Sequence, residues 1–246
     1  MKSRHLALGG AAIALLVLLC YLIFSRLQYH WNWTGIWEYR GLFFQGWVLT
    51  IGVSVGALVV SVLLGGLLAA GSMSKNPVLR FLSRAYIELV RGTPLLVQLL
   101  IGYYVVANAF DLDNQFLIGV LLLSSFAGAY LAEILRGGIE SVAESQIEAA
   151  RAVGFTPAQS YRHVILPQAL RRVLPAMAGQ FVSLIKDSSL LSVLGLEELT
   201  QQVRIANSAT YSSLEGFLPL ALGYLVLTLP LSWWTSRLEA RLRYED

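Results

Sequence analysis

Charge is scarce in this sequence. Only 13% of its 246 residues are charged, and 56% are hydrophobic; an ordinary soluble domain carries about 25% charged residues. The mean hydropathy is +0.63. A chain this poor in charge cannot cover itself with polar surface, so a lipid environment is expected rather than one very large core. Cysteine is nearly missing too, and Cys20 alone excludes a disulfide framework or a thiolate metal cluster. His5, His30 and His163 are too far apart in sequence for ligand spacing. No H-E-x-x-H and no G-x-S-x-G occurs, which leaves an intramembrane enzyme without a catalytic set. The nearest approach to a phosphate-cradling G-x-x-x-x-G-K-[ST] run is Gly71-Ser72-Met73-Ser74-Lys75. It lacks the glycine before the lysine and the hydroxyl residue after it, so nucleotide binding by this chain is not expected. The net charge of +3 is small, and it fits positive flanks of membrane spans better than a nucleic-acid surface.

What the sequence does have is long apolar runs. A bilayer core of about 30 Å takes roughly 20 apolar helical residues. Six stretches meet that demand: Leu6–Phe24, Gly46–Ala70, Pro94–Phe110, Phe116–Leu135, Pro175–Leu199 and Gly216–Trp234. The fold class read from them is an all-α integral membrane protein with six spans. The first stretch follows a basic start, Lys2 and Arg4, as a signal peptide would. Its long run ends without an A-x-A-like site, so it reads as an uncleaved anchor. The fifth contains Lys186 and Asp187 and is the least apolar of the six.

Lys and Arg set the orientation. With the N-terminus inside, thirteen fall in inner segments and three (Arg26, Arg40 and Arg204) in outer ones. That asymmetry follows the positive-inside rule and places both termini in the cytoplasm. Tyr29, Trp31, Trp33, Trp37 and Tyr39 then gather outside, where an aromatic belt is the plainer reading than a ligand site. Gly52 and Gly56 form a G-x-x-x-G that would let another helix approach closely.

One polar stretch interrupts the pattern, SQIEAARAVGFTPAQSYRHVILP at 145–167. A helix is expected over 145–153, with Gly154 as its left-handed stop. Thr156, Pro157 and Gln159 make a capping box for a second helix, which is expected to end towards Pro167. Ala149, Ala150 and Ala152 would give the first helix a surface of small side chains, beside the single charge of Glu148. Two readings stay open from these residues alone: a segment gripped by another protein, or an amphipathic loop lying on the membrane.

The same residues carry a resemblance. Glu148-Ala149-Ala150, then Gly154, then nine residues and Val164-Ile165-Leu166-Pro167 resemble the E-A-A…G…I-x-L-P signature of bacterial ATP-binding-cassette importer permeases. Val164 stands where isoleucine is usual. The runs ELVRGTPLLVQ at 88–98, AEILRGGI at 132–139, LPQALRRVLP at 166–175 and LIKDSSL at 184–190 are similar to the polar amino-acid branch of that family. The resemblance covers roughly 46–235. It implies a five-span core there, preceded by an anchor and aromatic loop at 1–45 and followed by a tail at 236–246. Its cytoplasmic coupling segment, 140–172, would dock on a separate ATPase through Glu148, Ala149, Ala150, Gly154, Val164, Leu166 and Pro167. The implied partners are that ATPase dimer, which would bring ATP and Mg, and a second permease, identical or homologous. An extracytoplasmic binding protein would deliver the amino-acid substrate. No cofactor is expected on this chain.

Ionisable residues inside spans are costly and are functional candidates by default. Lys186 and Asp187, with the Ser188 and Ser189 hydroxyls bonding across helices, are expected at the translocation path or gate. Glu88, Arg91 and Thr93 are candidates for it too. Glu88 with Arg91, and Glu133 with Arg136, are spaced i, i+3 and are expected to pair. An ion-coupled secondary transporter is the alternative, but its inverted repeats are not seen.

Overall fold

The computed structural model describes residues 31–242 and, before them, only 14, 15, 17–19, 21, 22, 25 and 26. The first expected span therefore lies largely outside the described residues. Those described form helices and turns and no strand. A short helix α1 (Trp33–Glu38) leads into α2 (Arg40–Ser72), α3 (Pro77–Gly92) and α4 (Leu95–Ile101), which continues as a π-turn over Gly102–Ala107. Next come α5 (Gln115–Glu140), α6 (Glu144–Ala152), α7 (Pro157–Ser160) and α8 (Leu166–Asp187). A 3₁₀ segment, Ser188–Leu194, precedes α9 (Leu199–Thr210) and α10 (Leu214–Leu242). The helices α2, α5 and α10 are long and apolar enough to cross a membrane, and α3 with α4 adds a bent pair.

The spine of the fold is α2 against α5. Lipid tails supply no hydrophobic drive between helices, so close packing of small residues must do so. Here Ala57 and Ser61 of α2 and Ser124 and Ala127 of α5 are buried, and the Ser124 hydroxyl donates to the Ala57 carbonyl at 3.2 Å. A methyl on Gly56 would lie 3.1 Å from Val120, and one on Gly65 only 2.8 Å from Leu131 Cβ. The expected close approach is present at Gly56 of the G-x-x-x-G, and it is tighter still at Gly65. Val53, Leu99, Leu123, Leu184, Leu191 and Leu196 pack into one core that also joins α4, α8 and the 3₁₀ segment.

Asn76 opens α3 by accepting from the Val78 N–H at 2.9 Å, with Pro77 in the first turn. Ile87 and Val90 are buried, Arg80, Arg84, Glu88 and Arg91 share a second face, and Val78, Leu82 and Leu89 form an exposed apolar third. The chain breaks at Thr93-Pro94 and turns by 109° into α4. Proline lacks the N–H that would continue the helix, and Gln98 of α4 compensates. Its Nε2 lies 2.6 Å from the Val90 carbonyl, 3.1 Å from the Thr93 carbonyl and 2.7 Å from Thr93 Oγ1.

Two expectations of outline need correction. The second helix of the polar stretch does not stop at Pro167, and the helix of the fifth expected span neither begins at Pro175 nor continues to Leu199. Instead α7 widens into a π-turn over Tyr161–Ile165 and runs on as α8, with the Leu166 N–H reaching the Tyr161 carbonyl. The wider turn accommodates the proline ring and its missing donor without ending the helix. At its other end α8 closes at Asp187, and the chain tightens into 3₁₀ geometry rather than staying α-helical to Leu199.

Candidate functional site

The polar segment folds as a capped reversal. Glycine leads α6 out through a left-handed residue, since Gly154 has φ +85°. Its N–H donates to the Arg151 carbonyl at 2.9 Å, and the Phe155 N–H to the Ala150 carbonyl at 3.0 Å. This is the double closure of a Schellman motif. Two residues on, the Gln159 N–H donates to Thr156 Oγ1 at 3.3 Å, while the Thr156 N–H donates to Gln159 Oε1 at 2.8 Å. The expected capping box is formed. The result is a rigid bend whose backbone bonds are internal.

Glu148, Ala149, Ala152 and Gly154 are exposed, and Val153 is 73% exposed. Ala150 departs from expectation: it is buried, because the returning chain at Phe155 closes over its carbonyl. Val164 and Leu166 are half-buried and Pro167 is exposed. The presented surface thus sets small and apolar side chains around Glu148, with Glu144 and Arg151 exposed on the same helix.

Lys186 and Asp187 end α8, the first exposed and the second half-buried, with no ion pair to either among the described residues. Both serine hydroxyls bond back into their own turn, and Ser188 also faces the Tyr224 hydroxyl of α10. Ser188 Oγ donates to the Ile185 carbonyl and Ser189 Oγ to the Lys186 carbonyl, each at 2.7 Å. Back-bonding of this kind competes with the helix ladder, and it occurs where α8 gives way to the 3₁₀ segment.

Glu88, Arg91 and Thr93 belong to a different place. Together with Ser72, Arg84, Ile87, Glu133 and Arg136, the first two line a cavity of about 230 Å³, which Lys186 and Asp187 do not reach. Arg91 does not pair with Glu88. It reaches from α3 to Glu133 of α5 at 3.5 Å and lies 5.5 Å from the Tyr130 ring centre. Glu133 pairs with Arg136 as expected, with Nε to Oε2 at 3.1 Å. Thr93 Oγ1 donates to the Leu89 carbonyl at 2.9 Å and serves the α3–α4 corner.

Sequence reasoning passed over Glu198. This carboxylate is fully buried and caps α9, accepting from the Thr200 and Gln201 N–H groups at 3.0 and 2.9 Å. The Tyr224 hydroxyl of α10 donates to it at 2.8 Å. A glycine in left-handed conformation, Gly195 at φ +81°, followed by an acid ahead of a helix, was the available signal. Removing the carboxylate by Glu198→Ala strands two backbone donors and leaves the Tyr224 phenol with Thr200 Oγ1, at 3.1 Å. A stability loss of about 3 kcal/mol is expected, read as a lowered melting temperature in detergent, whereas an unchanged melting temperature would contradict the cap.

Comparison with known proteins places these features in a group. A family described as "Binding-protein-dependent transport system inner membrane component" matches residues 61–244. The chain is 38% identical over 211 residues to the probable glutamine ABC transporter permease protein GlnM of Bacillus subtilis, covering 86% of this chain and 98% of that one. It is 37% identical over 218 residues to the glutamine transport system permease protein GlnP of Escherichia coli, with the same two coverages. Among solved structures, a chain of an amino acid ABC transporter crystallised with histidines superposes with a TM-score of 0.81 at 37% identity, over 87% of this chain and 100% of that one. A chain of the inward-facing MetNI methionine ABC transporter shares the fold at a TM-score of 0.64, 18% identical over 85% and 97% of the two chains.

Proposed function

The chain belongs to the binding-protein-dependent transport system inner membrane components, the permeases of ATP-binding-cassette importers, and from that premise we propose that it carries polar amino acids, glutamine foremost. The substrate class is supported by the relatives, which are named for glutamine. In this reading residues 46–235 are the membrane domain and 140–172 its cytoplasmic coupling segment. Residues 1–45 form an anchor and outer loop, and 236–246 an inner tail. Six spans place both termini inside. The chain supplies half of the path, facing a second permease copy or homologue. A separate ATPase dimer binds ATP and Mg, and an extracytoplasmic binding protein delivers the solute.

The observation that carries the coupling reading is the exposed reversal at Gly154. It is internally bonded, presents Glu148 and small residues, and holds no catalytic set of its own. A rigid bend of that kind suits docking, because little order has to be gained on binding. Closure of the ATPase dimer would then move α5 and α8, which flank the segment, between two packed arrangements.

Proteoliposomes holding the permease, its ATPase and its binding protein test the reading. Uptake of labelled glutamine is expected only with ATP inside and binding protein outside. Uptake driven by an ion gradient alone would favour the secondary-transporter reading and end this one. In the same assay Asp187→Ala and Lys186→Ala are each expected to lower uptake about tenfold, the weight of one charge-assisted hydrogen bond. Normal coupled transport in both variants would remove these residues, with Ser188 and Ser189, from the path.

A further inference from the structure

A series of polar contacts runs from the α3–α4 corner along α5 to Glu140, where the coupling segment begins. Arg91 stands in the last turn of α3 and meets Glu133 and Tyr130 of α5. Glu133 pairs in turn with Arg136, and Arg136 with Glu140 one turn further along. Glu140 is the last residue of α5. The next residue, Ser141, accepts at its carbonyl from Arg172 of α8. At the opposite end Gln98 holds the carbonyls of Val90 and Thr93, on either side of Arg91.

The charges alternate along this line, from Arg91 to Glu133, Arg136 and Glu140. Their side chains are between 27% and 49% exposed, and partly exposed pairs of this kind add only about 0–1 kcal/mol of stability each. Stability alone is therefore a poor reason for three of them in register. What they provide is attachment at fixed points. Arg91 ties the end of α3 to the last turns of α5, and Arg136 ties those turns to Glu140, the first residue of the coupling segment.

We propose that Arg91, Glu133, Arg136 and Glu140 form a positioning ladder, through which movement of the coupling segment is passed to the α3–α4 corner and so to the α4 span. The inference rests on the importer reading and adds to it the residues that carry the stroke. Without the ladder, ATP would still be hydrolysed, but the corner would lag behind the docked segment. Shared contacts make such residues non-additive, and coupling carried by a network typically changes by 0.5–2 kcal/mol when a member is lost.

The test uses the full complex in proteoliposomes and measures amino acid transported per ATP hydrolysed. Glu133→Gln is expected to keep the ATPase on the complex and to lower that ratio about tenfold. Arg91→Gln should lower it similarly, and the double variant should be no worse than either single one. Arg91→Lys, which keeps the charge facing Glu133, should restore most of the ratio. A normal ratio in Glu133→Gln overturns the ladder. So does a double variant whose loss is the product of the two single losses, or a Glu133→Gln complex that sheds its ATPase. If the unmodified complex shows no ATP-driven uptake, the importer reading fails and the ladder falls with it.

Discussion

Glu148→Arg and Gly154→Asp are each expected to strip the ATPase from the purified complex while the membrane helices stay folded. Glu148 is exposed and has no ion pair among the described residues, so reversing its charge removes nothing that holds this chain together. Against a docked partner the same change leaves a desolvated charge facing the wrong sign, which costs about 2–5 kcal/mol, or at least a thirtyfold weakening. Gly154 acts through its backbone. At φ +85°, a side chain is strained, yet a Cβ there would meet nothing within 4 Å. The strain of about 1–2 kcal/mol is borne by one exposed turn, and the new carboxylate projects into the presented surface. Affinity co-purification reads the loss, and circular dichroism reads the retained helix content. Undiminished ATPase recovery with both variants would place the docking surface elsewhere.

The legibility of this segment has a physical cause. The stop at Gly154 and the cap at Thr156 are satisfied within three to five residues, so local sequence contains everything that shapes them. The long apolar helices α2, α5 and α10 are legible for a similar reason, since hydropathy and length are properties of one stretch of chain. Hydropathy says nothing of hydrogen-bond register, so an apolar run opening at Pro175 does not show a helix that begins at Leu166. The π-turn before Pro167 is invisible to an apolarity profile. Partners distant in sequence were equally hidden. Arg91 had Glu88 at a plausible helical spacing, but its position at the end of α3 faces Glu133, forty-two residues on. Glu198 is held by Tyr224, twenty-six residues on, and an acid near a span end gives no sign of such a partner. Lys186 and Asp187 close one helix and do not lie midway along it, and no local residue marks that end.

Gly65→Leu is expected to abolish recovery of folded protein, whereas Gly52→Ala is expected to leave folding and transport intact. Both glycines lie on α2, and the sequence marks Gly52, with Gly56, through the G-x-x-x-G but does not mark Gly65. The geometry reverses that order. A Cβ at Gly52 would lie 3.5 Å from the Phe116 ring edge, an ordinary contact. At Gly65 it would lie 2.8 Å from Leu131 Cβ and 3.0 Å from the Gly128 carbonyl oxygen. Neither of those atoms is the far end of a flexible side chain, so the backbones of α2 and α5 would have to part. Overfilling a packed site by even a small group costs about 1–3 kcal/mol, and leucine adds three carbons beyond the Cβ. Parting the helices also loosens the Ser124–Ala57 hydrogen bond and the shared core against α4 and α8. Alanine at Gly52 instead gains about 1 kcal/mol of helix propensity, which offsets its added contact. Size-exclusion profiles in detergent should show the leucine variant aggregated and the alanine variant unchanged. A monodisperse, transporting Gly65→Leu protein would mean that α2 and α5 do not form the spine of the fold.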